Sequence, residues 1–172
     1  KFFLFLDKNG SKVLNLKTPY IEKSIYQSCV VKKRVVERDE KETSFRKALN
    51  FGHTFAHAYE ATLKYSKKLN HGEAVILGIK SASKFSLKNN FLGLKEFKLI
   101  ENHLNRLKLI KIFNKFFSNN DLNKIIFFMK KDKKNNNKKI NLVLLKKIGQ
   151  TIYNFQFDEK KISLFLKKEL IN

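Results

Sequence analysis

The sequence contains few cysteines, prolines and acidic residues, and these shortages narrow the class of protein. Of its 172 residues only Cys29 is a cysteine, so no disulfide can form within the chain, and a reducing, cytoplasmic location is expected. Because Cys29 lies in a stretch of helical apolar periodicity, we predict a buried thiol there. No apolar run approaches the roughly 20 residues that cross a bilayer, and the short apolar opening has no small-residue cleavage site. We therefore predict neither a membrane span nor a signal peptide.

Acidic residues number 15 against 37 Lys and Arg, which gives a formal net charge of +22. Such a charge raises the alternative of a basic nucleic-acid-binding module. However, the excess is mostly Lys, is spread along the chain, and accompanies many Phe, Ile and Asn, as expected from a genome-wide bias toward AT-rich codons. The Phe residues fall mostly on apolar helix faces, so we expect no nucleic-acid partner. We also expect no membrane partner, because no apolar run is long enough to cross a bilayer. The positive field would favour an anionic substrate.

The chain has one Pro and six Gly, and two of these residues, Gly10 and Pro19, divide its amino-terminal part. The Asn9-Gly10 pair is predicted to break the first apolar segment. Thr18 as cap, with Pro19 at the first helical position, predicts a helix through about Glu37. Its apolar face would include Ile21, Ile25, Val31, Val35 and Val36. The polar run 38–42 predicts a loop.

The central part of the sequence predicts two further helices. The first runs from about Ser44 to Leu63, and its small residues, Gly52 and Ala56, would let another backbone approach closely. The second begins after Asn70, because Asn70 and Glu73 have the spacing of a capping box. Its inward face would carry Val75, Ile79, Ala82 and Phe85.

The carboxy-terminal part predicts helices over about 95–107 and 121–130, then a basic, Asn-rich loop over 130–139. Two strands, 140–145 and 151–157, flank a turn that contains Gly149. A final helix would follow Asp158. The predicted fold class is therefore mainly α, with one small late β-hairpin.

Polar side chains that suit ligand binding recur along the predicted Ser44–Leu63 helix. Arg46, Asn50, His53 and His57 would share one face, which combines a fixed cation, an amide and two imidazoles. His71 would lie at a helix start, where backbone N–H groups suit anions. If the two helices meet at their small residues, His53 and His71 would reach one divalent metal ion, because imidazole suits such ions. A catalytic site usually has three protein ligands, and no clear third is present.

Three segments together resemble one enzyme family. They are Arg-x-x-x-Asn-x-Gly-His-Thr-x-x-His-Ala-x-Glu at 46–60, His-Gly-Glu-Ala-Val at 71–75 and Asp-Lys-Lys at 132–134. Two shorter patterns precede them, Cys-x-x-Lys at 29–32 and Asp-Glu-x-Glu at 39–42. The order and content of these segments resemble the 3-dehydroquinate synthase family of sugar-phosphate cyclases. Ala56 stands where that family usually has Gly, a change that we expect to alter packing slightly.

The resemblance implies a two-domain enzyme, a phosphate-eliminating carbon–oxygen lyase. Residues 1–172 would be its carboxy-terminal helical domain, and the amino-terminal NAD-binding domain would be absent from this chain. The implied substrate is a phosphorylated keto-acid, 3-deoxy-D-arabino-heptulosonate 7-phosphate, and the implied product is 3-dehydroquinate, in the shikimate pathway to chorismate and the aromatic amino acids. NAD and a zinc or cobalt ion are the implied cofactors, and a homodimer is compatible with the family. Another sugar-phosphate cyclase of the same fold is the alternative.

The resemblance also assigns site residues, position by position. The implied metal ligands are His53 and His71, and the implied catalytic residues are His57 and Glu42. The implied substrate contacts are Lys32, Arg46, Asn50 and Lys133 or, as the second choice, Lys134. The family's third metal ligand is a Glu that would precede Lys1, so this chain alone is not expected to catalyse the full reaction. Should the third ligand lie within the chain, Glu60 and Glu42 are the first candidates.

Overall fold

A computed structural model describes residues 1–131 and 139–171 of the chain. Within these residues the fold is mainly helical and contains one two-stranded antiparallel sheet, which confirms the predicted fold class. The α-helices are α1 (Phe2–Leu14), α2 (Tyr20–Arg38), α3 (His53–Thr62), α4 (His71–Lys88), α5 (Leu94–Arg106), α6 (Leu122–Lys131) and α7 (Glu159–Ile171). The strands are β1 (Lys139–Lys147) and β2 (Gln150–Asp158), and short 3-10 helices cover Phe45–Asn50, Phe113–Lys115 and Asn119–Asp121.

The main hydrophobic core forms around α3 and α4, which pack against β1, α6 and α7. Phe55, Phe85 and Phe165 are almost fully buried and lie ring against ring, with centroids 5.1–6.4 Å apart. Tyr59 is fully buried, and its hydroxyl shares a hydrogen bond of 2.8 Å with the Ser81 hydroxyl. Burial raises the pKa of Tyr59 far above its usual range. The core thus fixes α3, the helix that begins with a motif histidine.

The predicted continuous helix from Ser44 to Leu63 is wrong. The segment Phe45–Asn50 is a 3-10 helix, and α3 begins only at His53. Between them Gly52 adopts a φ of 82°, a left-handed conformation that glycine tolerates because it has no Cβ. A Cβ at this position would also lie 2.6 Å from the backbone nitrogen of Ile79. The break therefore lets the start of α3 press against α4.

The predicted close approach at small residues is confirmed. A Cβ on Gly78 of α4 would collide with the carbonyl oxygen of Gly52 and lie 3.0 Å from the backbone nitrogen of Ala56. Ala56 itself is fully buried. Backbones at this separation leave no room for larger side chains, so α3 and α4 cross where their sequences have Gly and Ala.

The predicted break at Asn9-Gly10 is also wrong, because α1 continues through both residues. Gly10 is buried, and a Cβ there would lie 2.6 Å from a methyl group of Leu107. Asn9 donates a side-chain hydrogen bond to the carbonyl oxygen of Phe5, one turn back. Gly10 therefore serves helix packing here, not chain reversal.

The predicted start of α2 needs a correction as well. Pro19 occupies the N-cap position, and the first helical residue is Tyr20. Thr18 does not cap the helix: its hydroxyl donates to the Glu22 carboxylate at 2.8 Å. The helix ends at Arg38, close to the predicted end, and the predicted polar loop follows it.

Cys29 is exposed in this chain, so the prediction of a buried thiol is wrong. Within α2 only Val35 is buried, while Ile25, Tyr26 and Val31 are 57%, 65% and 43% exposed. The apolar periodicity of α2 is real, but most of that face meets no other described part of the chain.

The remaining elements agree with the sequence. Asn70 and Glu73 form the predicted capping box, since each side chain accepts a hydrogen bond from the backbone nitrogen of the other. Helices α5 and α6, the hairpin and α7 occur where predicted, within a few residues. Most of the predicted 130–139 loop lies outside the described residues. No helix within the described ranges is both long and apolar enough to span a membrane.

Candidate functional site

Three of the four histidines converge where α3 crosses α4. His53 opens α3, His57 follows one turn later, and His71 opens α4. The ring centroids of His53 and His57 are 5.5 Å apart, and those of His71 lie 6.3 Å from His53 and 6.4 Å from His57. The crossing at Gly52 and Gly78 brings the two helix starts together, so residues from different helices form one cluster.

A buried carboxylate holds the histidine of α4. The Nδ1 of His71 lies 3.0 and 3.2 Å from the two carboxylate oxygens of Glu60. The Glu60 side chain is 11% exposed, whereas that of His71 is 64% exposed. Glu60 follows His53 by seven residues, two helical turns, and so shares its face of α3. That spacing was visible in the sequence. The pairing of Glu60 with His71 was not, because it depends on how α3 and α4 cross.

A cavity of about 380 Å³ opens beside the histidines, between the 3-10 helix, the start of α3 and the hairpin. Its walls include the following residues: Glu42, Lys47, Asn50, His53, Thr54, His57, Asn141, Leu142, Val143, Tyr153 and Asn154. Ligand pockets typically occupy about 300–1,000 Å³, so the volume suits a small molecule. The walls combine carboxylate, amide, imidazole and ammonium groups, which suits a polar ligand.

Two hydrogen bonds cross the cavity wall. The amide of Asn50 donates to the Glu42 carboxylate at 2.6 Å, and the ammonium of Lys47 donates to the Asn154 side-chain oxygen at 2.9 Å. Glu42 has a φ of 54°, which is uncommon for a residue with a side chain. The first contact joins the loop after α2 to the 3-10 helix, and the second joins the 3-10 helix to β2.

Asp39 organises the loop that presents Glu42. Its carboxylate accepts hydrogen bonds from the backbone nitrogens of Arg46, Ser44 and Thr43, at 2.8–2.9 Å, and from the Thr43 hydroxyl. These donors, the Arg46 amide first, lower the pKa of Asp39 to about 2. The side chain is therefore ionised at neutral pH, and the loop folds around its charge.

The structure brings together some of the sequence-predicted site residues. Glu42, Asn50, His53 and His57 line the cavity, and His71 lies next to the two motif histidines of α3. Their roles as catalytic residues, substrate contact and metal ligands stay predictions.

The other predicted substrate contacts lie elsewhere or outside the described residues. Arg46 is not among the residues of the cavity wall, and its guanidinium donates to the carbonyl oxygen of Glu40 at 2.7 Å. The single helical stripe predicted for Arg46 and Asn50 does not form, because the 3-10 helix and the Gly52 turn interrupt it. Lys32 lies on the exposed part of α2 and is not in the wall. Lys133 and Lys134 fall outside the described ranges.

Sequence reasoning missed several residues of the cavity. Lys47, Tyr153 and Asn154 line it, the last two from the hairpin. The pairing of Lys47 with Asn154 spans 107 residues of sequence, and no local pattern indicates it. The sequence predicted a basic residue here, but it indicated Arg46, whereas the residue in the cavity wall is its neighbour Lys47.

The histidine cluster was compared with the geometry that a metal ion requires. Among residues 1–131 and 139–171 no group of three or more His, Cys, Asp or Glu side chains is arranged to hold an ion. Zn–N bonds of about 2.0–2.1 Å, plus roughly 1.2 Å from nitrogen to ring centre, allow two rings on one ion to lie up to about 6.4 Å apart. The 6.3 Å between His53 and His71 is within this limit, near its upper end. At this separation the two rings could share one ion only with a nearly linear N–metal–N angle, so the tetrahedral arrangement typical of zinc would need the rings closer together.

Comparisons with known proteins agree with the motifs. A family model described as 3-dehydroquinate synthase C-terminal matches residues 1–135. The 3-dehydroquinate synthase of Pelagibacter ubique (strain HTCC1062) is 66% identical over 170 residues, which cover 99% of this chain and 46% of the relative. That of Endomicrobium trichonymphae is 44% identical over 135 residues, 78% of this chain and 36% of the relative. The chain thus spans about half the length, or less, of these curated relatives.

Two solved structures share the fold. A 2-epi-5-epi-valiolone synthase from Streptomyces hygroscopicus subsp. jinggangensis 5008, with NAD+ and Zn2+ bound, superimposes with a TM-score of 0.77 at 16% identity, over 98% of this chain and 46% of that one. A 2-deoxy-scyllo-inosose synthase complexed with carbaglucose-6-phosphate, NAD+ and Co2+ superimposes with a TM-score of 0.73 at 21% identity, over 88% of this chain and 43% of that one. At these identities the likeness concerns the fold alone.

Proposed function

The chain belongs to the 3-dehydroquinate synthase family, and from this premise we propose that the full-length protein is a 3-dehydroquinate synthase. It converts 3-deoxy-D-arabino-heptulosonate 7-phosphate to 3-dehydroquinate and phosphate, with NAD reduced and reoxidised in each turnover, as a step of the shikimate pathway. This chain contributes the helical part that holds the metal and most of the substrate. The observation that carries the proposal is the convergence of His53, His57 and His71 beside the cavity of Glu42 and Asn50.

His53 and His71 are the proposed ligands of a zinc or cobalt ion, with a third ligand from the part of the protein outside this chain. When bound, the ion supplies Lewis-acid polarisation of the hydroxyl that is oxidised. His53 is held at the first turn of α3 by the Gly52 crossing, and His71 by Glu60 and the capped start of α4. NAD is held mainly outside this chain, as the resemblance implies.

The cavity groups divide into proton-transfer and binding roles. His57 is exposed in the wall, so a substrate can reach its imidazole, the side-chain type that most often serves as a general acid or base. Glu42 is held by the Asn50 amide at 2.6 Å, which fixes the carboxylate toward the cavity and leaves it a second acid–base group. The two roles are proposed for proton movement at the reacting carbons and at the phosphate leaving group.

Cations around the cavity provide the proposed anion binding. Lys47 lies in the wall, and Arg46 adjoins it in sequence. Lys32 and Lys133 or Lys134 remain proposed substrate contacts. A carboxylate and a phosphate on one small molecule match this basic surrounding, since Arg and Lys bind both groups by charge-assisted hydrogen bonds.

The test is an assay of the full-length protein. Phosphate release is measured with NAD and zinc or cobalt, using 3-deoxy-D-arabino-heptulosonate 7-phosphate and, as a control, glucose 6-phosphate. We expect rapid release from the first compound alone, loss after chelation and recovery when metal is returned. An absence of release from the heptulosonate phosphate in the metal-loaded protein would overturn the proposal.

Another sugar-phosphate cyclase is the second candidate, because the valiolone and scyllo-inosose synthases share the fold. This reading predicts that a plain sugar phosphate, glucose 6-phosphate among them, is turned over in preference to the heptulosonate phosphate. The same assay separates the two candidates. The higher identity to 3-dehydroquinate synthases favours the first.

A further inference from the structure

We propose that Glu60 is a positioning residue for the metal site: it fixes the tautomer and direction of His71 so that its Nε2 faces the ion. The inference rests on the proposed function, since it needs a metal at His53 and His71. Neither the motif match nor the likeness to solved structures assigns this role to Glu60.

The hydrogen bond determines which nitrogen of His71 is available. Nδ1 lies within 3.2 Å of both Glu60 oxygens. An ionised carboxylate can only accept, so Nδ1 must carry the proton. A neutral imidazole protonated at Nδ1 has its lone pair on Nε2, on the opposite side of the ring. Glu60 thereby selects the tautomer that a metal ligand needs.

The difference in exposure between the two side chains explains why the His71 ring needs this contact. The Glu60 side chain is 11% exposed and follows Tyr59, which is fully buried, so its position is set by the core. The His71 side chain is 64% exposed and would otherwise sample several rotamers. Anchoring a mobile ring to a fixed carboxylate reduces the entropy that is lost when the ion binds.

Glu60 also sets the distance between the two proposed ligands. It lies on α3, the helix that carries His53, while His71 lies on α4. The bond from Glu60 to His71 therefore connects one ligand directly to the helix of the other. Outer-shell carboxylates of this kind typically contribute about 10–100-fold to metal affinity.

A purely structural tie between α3 and α4 is the competing interpretation. It predicts that loss of Glu60 lowers the unfolding temperature and leaves the affinity of the folded protein for metal unchanged. The two readings differ in metal affinity, which is measurable in the absence of substrate.

The experiment compares full-length apoproteins in a competitive zinc titration against a chromophoric chelator. Glu60→Gln preserves the shape and one oxygen acceptor but removes the charge. Glu73→Gln is the matched control: it removes a charge from the first turn of α4, keeps a residue type that supports the capping box, and affects a side chain that bonds Asn70 and Lys111. We expect about 10–100-fold weaker zinc binding for Glu60→Gln and no comparable loss for Glu73→Gln. Equal affinity of Glu60→Gln and wild type would overturn the inference.

A second measurement needs no variant and remains decisive if Glu60→Gln does not fold. Nitrogen-15 NMR of the wild-type imidazoles reports the tautomer of His71. We expect the proton on Nδ1 in the apoprotein and a zinc-induced shift at Nε2. A proton on Nε2, or zinc bound through Nδ1, would overturn the inference.

The outcomes also separate this inference from the proposed function. If the wild-type protein binds zinc but does not act on the heptulosonate phosphate, the proposed substrate is wrong. The role of Glu60 would still be supported if Glu60→Gln bound zinc more weakly than the wild type. Wild-type protein that turns over the heptulosonate phosphate, with equal zinc affinity in Glu60→Gln, would overturn only the role of Glu60. Wild-type protein that binds neither zinc nor cobalt would overturn both.

Discussion

At the scale of single residues, Asp39 shows how one carboxylate places a candidate catalytic group. It accepts hydrogen bonds from three backbone nitrogens of the loop that also contains Glu42. Glu42 lies between Asp39 and those donors in sequence, so its position depends on the loop remaining folded. The charge on Asp39 therefore supports the cavity wall without facing the cavity.

We predict that the loop opens in acid as Asp39 becomes protonated. The folded pKa is about 2, below the roughly 3.9 of a free aspartate. A lowered carboxyl pKa contributes stability that is complete above the free value and is lost as the pH falls through the folded value. Hydrogen exchange of the Thr43, Ser44 and Arg46 amides, corrected for intrinsic pH dependence, should show strong protection above about pH 4 and little near pH 2.

The Asp39→Asn variant should lose the same protection against hydrogen exchange at neutral pH. Exchange at the Thr43, Ser44 and Arg46 amides should be severalfold faster than in the wild type. Glu40→Gln changes the adjacent, exposed carboxylate and serves as the control. Unchanged protection in Asp39→Asn would contradict the assignment of the loop to the Asp39 charge.

A second residue-scale prediction concerns the proposed ligands. In the full-length protein, His53→Ala and His71→Ala should each weaken zinc binding by more than the roughly 10–100-fold that an outer-shell change costs. His103→Ala is the control, since His103 pairs with Asp7 on α1, away from the cluster. Isothermal titration with zinc checks this. Similar losses in all three variants would indicate a general folding defect.

The sequence predicted which side chains lie together better than it predicted how they are directed. Asn50, His53, His57 and Glu42 do meet at one cavity, because a motif records which residue types the site needs. The direction of Arg46 was not predictable, since Arg46 lies in a 3-10 helix where an α-helix was predicted and its guanidinium donates to the Glu40 carbonyl oxygen. Glu60 was visible only as part of a motif, because its partner lies on α4.

At the scale of elements, the α3–α4 crossing positions the site and tolerates little added volume. Gly78→Ala would place a methyl group against the Gly52 carbonyl and 3.0 Å from the Ala56 nitrogen, which are backbone atoms that cannot rotate away. We predict a loss of about 1–3 kcal/mol in the free energy of unfolding, measured by urea denaturation of the full-length protein.

Gly72→Ala is the control for that substitution. Gly72 also lies in α4, but the nearest atom to an added methyl is the Asn70 side-chain oxygen at 3.6 Å. Alanine has the higher helix propensity, so this change should be neutral or stabilising by up to about 1 kcal/mol. Equal destabilisation by both substitutions would show that helix propensity, not the crossing, determines the effect.

The sequence predicted helices and strands well where the interactions that form them lie within a few residues of each other. The Asn70–Glu73 capping box and the hairpin were predictable because both depend on neighbouring residues. Glycine was ambiguous: Gly52 ends one helix and permits the next, whereas Gly10 lies within α1 and makes room for Leu107. Glycine thus permits a turn at Gly52 and close packing at Gly10. The packing role of Gly10 depends on its contact with Leu107, almost a hundred residues away in sequence, so no local pattern indicates it.

At the scale of the whole molecule, the chain has a net charge of +22 and an α2 helix with an exposed apolar face. Helical periodicity correctly indicated an amphipathic α2, but burial depends on what lies against the helix, and a local pattern carries no such information. The proposed metal site also depends on residues outside those described, because the described residues provide two neighbouring imidazoles and no three-ligand group.

We therefore predict that this chain binds zinc more weakly than the full-length protein and releases no phosphate from the heptulosonate phosphate. A catalytic zinc site usually has three protein ligands, and removing one lowers affinity steeply. Parallel zinc titrations of residues 1–172 and the full-length protein, with phosphate release followed in both, check the prediction. Equal affinity would mean that the third ligand lies within these residues. Because Glu42 lines the same cavity wall as His53, it would then be the first carboxylate to test, by Glu42→Gln in the chain alone. Phosphate release by the chain at the full-length rate would show that residues 1–172 contain the complete catalytic apparatus.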